Sequence, residues 1–259
     1  MQQSAGKAPL WRRLARSTGL HKLAPTRTVH LPPAPPDRPL EALDAHSRTF
    51  PSMGGMELGP YFRMLARQVP AGTAIVEVGV WLGAGTAQLA YALAERRAAG
   101  HPVPPIYCYD RWMARPSHVP LAARQGWQVT PLHETLPLVR DALRPFGTEI
   151  HFRAGELRQA RWNDGPIGIY IDDASKKQSD FRKVMRTFGP SFVPGQTVLV
   201  LMDYHYAGIG ETEWQRRFIS ALPGHFEALD VPELAGSNTA AFRYLKPVDF
   251  EAAIAAGTL

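Results

Sequence analysis

Three features of the sequence predict an α/β fold whose sheet is doubly wound and mostly parallel. Short apolar runs alternate with helical patterns from residue 74 onward. One of these runs ends in a glycine-rich turn that opens a helix. The last two runs are separated by the turn Gly236-Ser-Asn, which predicts an antiparallel final strand.

Taken in order, residues 40–48 and 56–69 read as short helices. The second places Tyr61, Met64 and Leu65 on one stripe, and a Ser52-Met-Gly-Gly-Met turn separates the two. Strands are predicted at 74–80, 105–109, 149–153, 167–171, 196–202, 227–231 and 240–245. Helices are predicted at 86–98, 136–144, 179–187 and 211–221. The first five strands are short apolar runs, as expected where helices cover both faces. Their alternation with helices implies parallel strands joined by crossovers, a Rossmann-like arrangement.

Residues 1–39 read as a basic, Pro-rich, flexible N-terminal extension, and 40–259 as the folded domain. The whole net charge of +6 lies in the first 36 residues, on Lys7, Arg12, Arg13, Arg16, Lys22 and Arg27. The rest of the chain balances, so no folded basic face is available and nucleic acid is not expected as a partner. Residues 9–24 read as a disordered tail or as a basic amphipathic helix, and an acid-free, Arg-rich start also resembles an organelle transit peptide. Residues 32–39, PPAPPDRP, read as a stiff extended linker. With one cysteine, Cys108, the chain has no internal disulfide or cysteine-based zinc site. No apolar run reaches the roughly 20 residues of a membrane span. A cytoplasmic protein is expected; its oligomeric state is left open, with a homo-oligomer among the expectations.

The sharpest local feature is Ile75-Val-Glu-Val-Gly-Val-Trp-Leu-Gly-Ala-Gly-Thr86. In α/β sheets ligands sit at the carboxyl ends of strands beside such turns. Gly79 lets the chain leave its strand, while Gly83 and Gly85 let the backbone approach a ligand. Thr86 is expected to cap the following helix. A dinucleotide fingerprint beginning at Gly79 needs glycine where Trp81 stands, and no phosphate-loop Gly-Lys-Ser/Thr follows. Glu77 would repel a pyrophosphate and suits a cationic or hydroxyl-bearing ligand. A second acid, Asp110, ends the next strand, where it is placed to accept from ribose hydroxyls.

Together these residues resemble the first motif of class I S-adenosylmethionine-dependent methyltransferases. The similarity is closest to the macrocin O-methyltransferase-like branch, which methylates sugar hydroxyls. The resemblance implies that Gly79, Gly83 and Gly85 line the methionine and ribose of the cofactor. It also implies that Asp110 binds the ribose and that Trp112 lies near the adenine. In that branch carboxylates after the fourth and fifth strands hold Mg²⁺; here Asp172 and Asp203 match them, while Ala174 and Met202 depart from the pattern and leave the metal open. Asp172 is also a candidate for the cofactor's amino group. His205, beside Asp203, is the candidate general base. Lys176 and Lys177 are candidates for an anionic acceptor, and Gly155-Glu156 for the adenine. The segment 113–135, with Arg115, His118 and His133, stands where the family carries a lid. The expected activity is O-methylation of a small molecule, with an NAD-linked oxidoreductase or a non-catalytic cofactor-binding protein as alternatives.

Overall fold

The computed structural model describes residues 26–53, 58–206 and 213–257. The predicted amphipathic segment at 9–24, part of the Ser52–Met56 turn and the start of the helix predicted at 211 lie outside the described residues.

Eight strands form one sheet: β1 (Arg27–Leu31), β2 (Ala74–Val78), β3 (Ile106–Asp110), β4 (Ile150–Ala154), β5 (Ile167–Asp172), β6 (Val198–Leu201), β7 (Phe226–Ala228) and β8 (Ala240–Tyr244). Their spatial order is β1-β4-β3-β2-β5-β6-β8-β7. The five inner strands β4, β3, β2, β5 and β6 are parallel, while β1 pairs antiparallel at one edge and β8 and β7 at the other. From β2 the chain runs outward through β3 and β4, then returns to the opposite side of β2 as β5. That reversal makes the gap beyond the carboxyl ends of β2 and β5 the expected ligand crevice.

Strand periodicity sorts side chains onto two cores. On the first face Ile75, Ile106, Cys108, Ile169, Ile171 and Val200 meet α1 (Leu40–Ser47), α2 (Leu58–Gln68), α3 (Ala84–Ala98), α4 (Val119–Arg124) and α5 (Leu136–Leu143). On the second, Val76, Val78, Tyr107, Tyr109, Tyr170 and Leu199 meet α6 (Gln178–Phe188), α7 (Glu213–Ala221) and α8 (Phe250–Ala255). Each fully buried Leu, Ile or Phe contributes about 1.5–3 kcal/mol. The two-sided burial explains why β2 and β5, apart from Glu77 and Asp172, are apolar rather than alternating. Among the described residues no helix is long and apolar enough to cross a membrane.

The expectation of a flexible extension over 1–39 does not hold for residues 27–37. Residues 27–31 pair with β4, from Arg27 opposite Ala154 to Leu31 opposite Ile150. His30 stacks on His151 at 4.4 Å, and His151 stacks on Tyr107 at 4.4 Å. The linker is also tied down: Ala34 N–H donates to Gly147 O (3.0 Å) and Asp37 N–H to Pro145 O (3.2 Å). The strand predicted at 227–231 is shorter and earlier, because Pro232 and the single 3₁₀ turn that follows end its pairing. The 113–135 segment carries α4 and a β-bridge between Met113 and Glu134.

Candidate functional site

The site begins where β2 runs into α3. Gly79 has φ +89°, and a Cβ there would stand 2.8 Å from the carbonyl carbon of Asp173. Glycine therefore lets the exit of β2 lie against the exit of β5. Gly85 is bare for a different reason: a Cβ would strike the Glu77 carboxylate and approach Phe62 to 3.1 Å. Gly83 is the N-cap residue of α3. Thr86, expected as the cap, sits within the helix because the helix starts two residues earlier. Its hydroxyl instead donates to Glu77 Oε2 (2.5 Å) and lies 3.5 Å from the buried Cys108 thiol.

Glu77 is the buried acid of the site. Burial pushes its carboxyl up to about 8, opposed by the Thr86 bond and reinforced by Asp173 and Asp110. It lies at the wall of a cleft of about 500 Å³ with Gly79, Trp81 and Gly85, facing Ile171, Asp173 and Met202. That volume suits a small-molecule site. Helix α2 contributes Phe62 and Arg63 to the opposite wall. Arg63 is already engaged: it donates to Asp44, Ser47 and Gln88 and lies over the Tyr91 ring.

Asp110 joins two loops. Its Oδ2 accepts from Trp81 N–H (2.9 Å) and its Oδ1 from Trp112 N–H (2.8 Å). Both tryptophans have positive φ, 51° and 55°. Such backbone costs on the order of 1–3 kcal/mol per residue, and charge-assisted bonds of this kind offset it. Each carboxylate oxygen keeps a second lone pair for a ligand hydroxyl.

Several expected site residues stand elsewhere. Trp112 is sealed in the core at 1 % exposure, edge-on to Phe152, so its ring is not presented to an adenine. Asp172 is fully buried, with Oδ1 accepting from Ala174 N–H (3.1 Å) and Ser175 N–H (2.9 Å) and Oδ2 from the Ser175 hydroxyl. It shapes a turn, and its roles toward metal, acceptor and cofactor are corrected accordingly. His205 is exposed, packs on Tyr204 and lies outside the cleft lining. Lys177 is exposed too. Glu156 is exposed and pairs with Arg111 at 3.8 Å, while Gly155 N–H donates to Asp110 O. In the 113–135 segment, His118 packs edge-on against Trp81 at 5.6 Å, and burial beside Arg115 holds its ring below the usual histidine range. His133 is exposed.

The residue that sequence reasoning passed over is Asp173. Strand parity could have found it: Glu77 lies opposite Ile171 on the cleft face, so the next cleft-facing position after Ile171 is 173, not 172. By the same rule Met202 follows Val200 on that face. Burial raises the Asp173 carboxyl above its ordinary range, against the pull of Lys176. Lys176 Nζ lies 2.9 Å from Asp173 Oδ1 and contacts Asp203 Oδ2 as well.

No protein-family profile matches the sequence, and no curated protein does. Solved structures do. The O-methyltransferase NovP matches at TM-score 0.56 and 13 % identity, over 76 % of this chain and 83 % of that one. The apo structure of CalS11, a TDP-rhamnose 3′-O-methyltransferase of calicheamicin biosynthesis, matches at TM-score 0.52 and 19 % identity, over 80 % and 87 %. A second CalS11 structure, described as calicheamicin methyltransferase, matches at 0.54 and 16 %, over 93 % and 99 %.

The chain has the fold of these methyltransferases.

In this fold the glycine turn and Asp110 stand at the carboxyl ends of β2 and β3. The Mg²⁺ implied by the sequence resemblance does not fit the residues present. Asp172 spends its oxygens on its own turn, Met202 offers a thioether where a hard oxygen ligand is needed, and the Lys176 ammonium lies between the remaining carboxylates.

Proposed function

We propose that this chain is an S-adenosylmethionine-dependent methyltransferase acting on a hydroxyl of a small molecule, with a sugar as the favoured acceptor class. The observation that carries this reading is the bare Gly79–Gly85 turn beside buried Glu77, at the switch point of a methyltransferase fold. The methionine end of the cofactor lies over Gly79 and Gly85, its cationic groups near Glu77. Asp110 takes the ribose hydroxyls on its free lone pairs. The acceptor enters between α2 and the ends of β5 and β6, past Met202 and Asp173.

In the transfer itself, the acceptor oxygen attacks the methyl carbon in line with the carbon–sulfur bond. That bond breaks, its electron pair stays on sulfur, and the hydroxyl proton passes to the cleft carboxylate Asp173. His205 was the expected base; it lies outside the cleft lining, whereas Asp173 is part of it, which favours Asp173. The sugar preference draws on the neighbours' printed acceptor and on a cleft that mixes apolar walls with few free charges. Trp81 argues against NAD, since its side chain occupies the position where a dinucleotide turn is bare. A cytoplasmic setting accords with the single free, buried Cys108.

Calorimetry with S-adenosylmethionine, S-adenosylhomocysteine and NAD in parallel tests the reading. Micromolar binding of both sulfur ligands and none of NAD is expected. NAD binding without either sulfur ligand overturns it.

A further inference from the structure

We propose that Lys176 is a built-in cation of the acceptor site, standing where a divalent metal would otherwise bridge the carboxylates. Three observations meet at this residue. First, β5 and β6 end side by side, with Asp172 opposite Leu201, so Asp173 and Asp203 emerge at one edge of the sheet. Second, both carboxylates converge on the same ammonium: Asp173 Oδ1 lies 2.9 Å from Lys176 Nζ, and Asp203 Oδ2 is in contact with it. Third, the turn that carries Lys176 is fixed from below. Sealed Asp172 accepts from the N–H groups of Ala174 and Ser175 and from the Ser175 hydroxyl, and Lys176 N–H donates to Ala174 O (2.9 Å). An acid that binds no ligand thus explains the position of a lysine that does.

The chemistry follows from the donor count. An ammonium has three N–H donors and no acceptor. Two are directed to the carboxylates, which leaves the third for an acceptor oxygen brought beside Asp173, the partner of Lys176 that lines the cleft. As the hydroxyl gives up its proton, a positive charge already held beside it stabilises the developing oxyanion without reorganising. Lysine is a point charge on a flexible stem, so it meets a single hydroxyl rather than a planar bidentate group. Neighbouring Met202 cannot complete an oxygen shell, so nothing at this edge recruits Mg²⁺ in preference to the lysine.

The role in transfer rests on the methyltransferase reading, but the cation exchange does not, and the test separates them because it uses neither cofactor nor acceptor. Mn²⁺ is titrated into the full chain and followed by thermal unfolding and calorimetry. Wild type is expected to be indifferent to millimolar Mn²⁺. Lys176→Ala vacates the carboxylate pair and is expected to gain Mn²⁺ binding, with a midpoint rise of about 2–5 °C at tenfold excess over Kd. The gain is expected to vanish in Lys176→Ala/Asp203→Asn, and Lys176→Arg should stay indifferent. Lys176→Gln, of nearly the same size, serves the same comparison if the alanine variant is too unstable to measure. Saturable Mn²⁺ binding by wild type overturns the proposal, and so does a folded Lys176→Ala or Lys176→Gln protein that ignores Mn²⁺.

Discussion

The carboxyl ends of β2 and β3 and the carboxyl ends of β5 and β6 face the same cleft but are built by different means. At the first edge the backbone makes the site. Glycines remove Cβ atoms, and the two acids are held by neutral donors: Glu77 by the Thr86 hydroxyl, Asp110 by the Trp81 and Trp112 N–H groups. At the second edge side-chain charges make the site, with Asp173 and Asp203 held by Lys176. A backbone-built site tolerates no added atom. A charge-built site is indifferent to small changes of shape but depends on which charges are present.

The largest test of that contrast is Gly79→Ala. The new Cβ meets Asp173 backbone at 2.8 Å and forces a residue at φ +89°. A loss of about 3 kcal/mol in urea unfolding is expected, with loss of cofactor binding. Gly195→Ala, at φ +75° in open space, should cost about 1 kcal/mol and spare binding. Equal losses would break the comparison. Next comes Asp172→Ala, which orphans two N–H donors under the second edge. A loss of about 2 kcal/mol is expected. Cofactor affinity should be unchanged, and a tenfold weaker affinity by calorimetry would return Asp172 to the cofactor site.

The most gradual expected effect, a slope rather than a step, is in pH dependence. Glu77 has a carboxyl near 8 in the folded chain against an ordinary 4.5. Between those values the folded state holds a proton that the unfolded state has lost. The stability it contributes is therefore full below about 4.5 and declines as pH rises toward 8. The slope is at most about 1.4 kcal/mol per pH unit. Glu77→Gln should flatten the fall in urea midpoint between pH 6 and 8.5 relative to wild type. Parallel curves for the two proteins would show that Glu77 is ionised throughout.

The two edges also differ in how much of them could be read in advance. The sheet was legible because strands buried on both faces must be apolar, and the turn after β2 because a bare turn needs glycine at fixed steps. Only the finer detail escaped there. Thr86 lies two residues inside its helix, and Trp112 is turned into the core by the bond from its N–H to Asp110. At the other edge, acids stand at both 172 and 173, and residue type alone does not tell which one faces the cleft. Parity along β5 decides it, and parity needs the register with β2. Lys176 was legible as a charge but not as a partner, because its two carboxylates come from different strands. The short β1 was masked by its basic, proline-rich surroundings, where five alternating residues give too weak a periodic signal.

That last strand has a practical consequence. A fragment cut at residue 40, where composition alone places the domain boundary, would strip β1 from the sheet and leave the row of N–H and C=O groups on β4 unpaired. Such an open edge is a template for pairing with other chains, and the fragment would be prone to aggregate. Expression of this protein should therefore retain the residues from Arg27 onward, even though they read as tail.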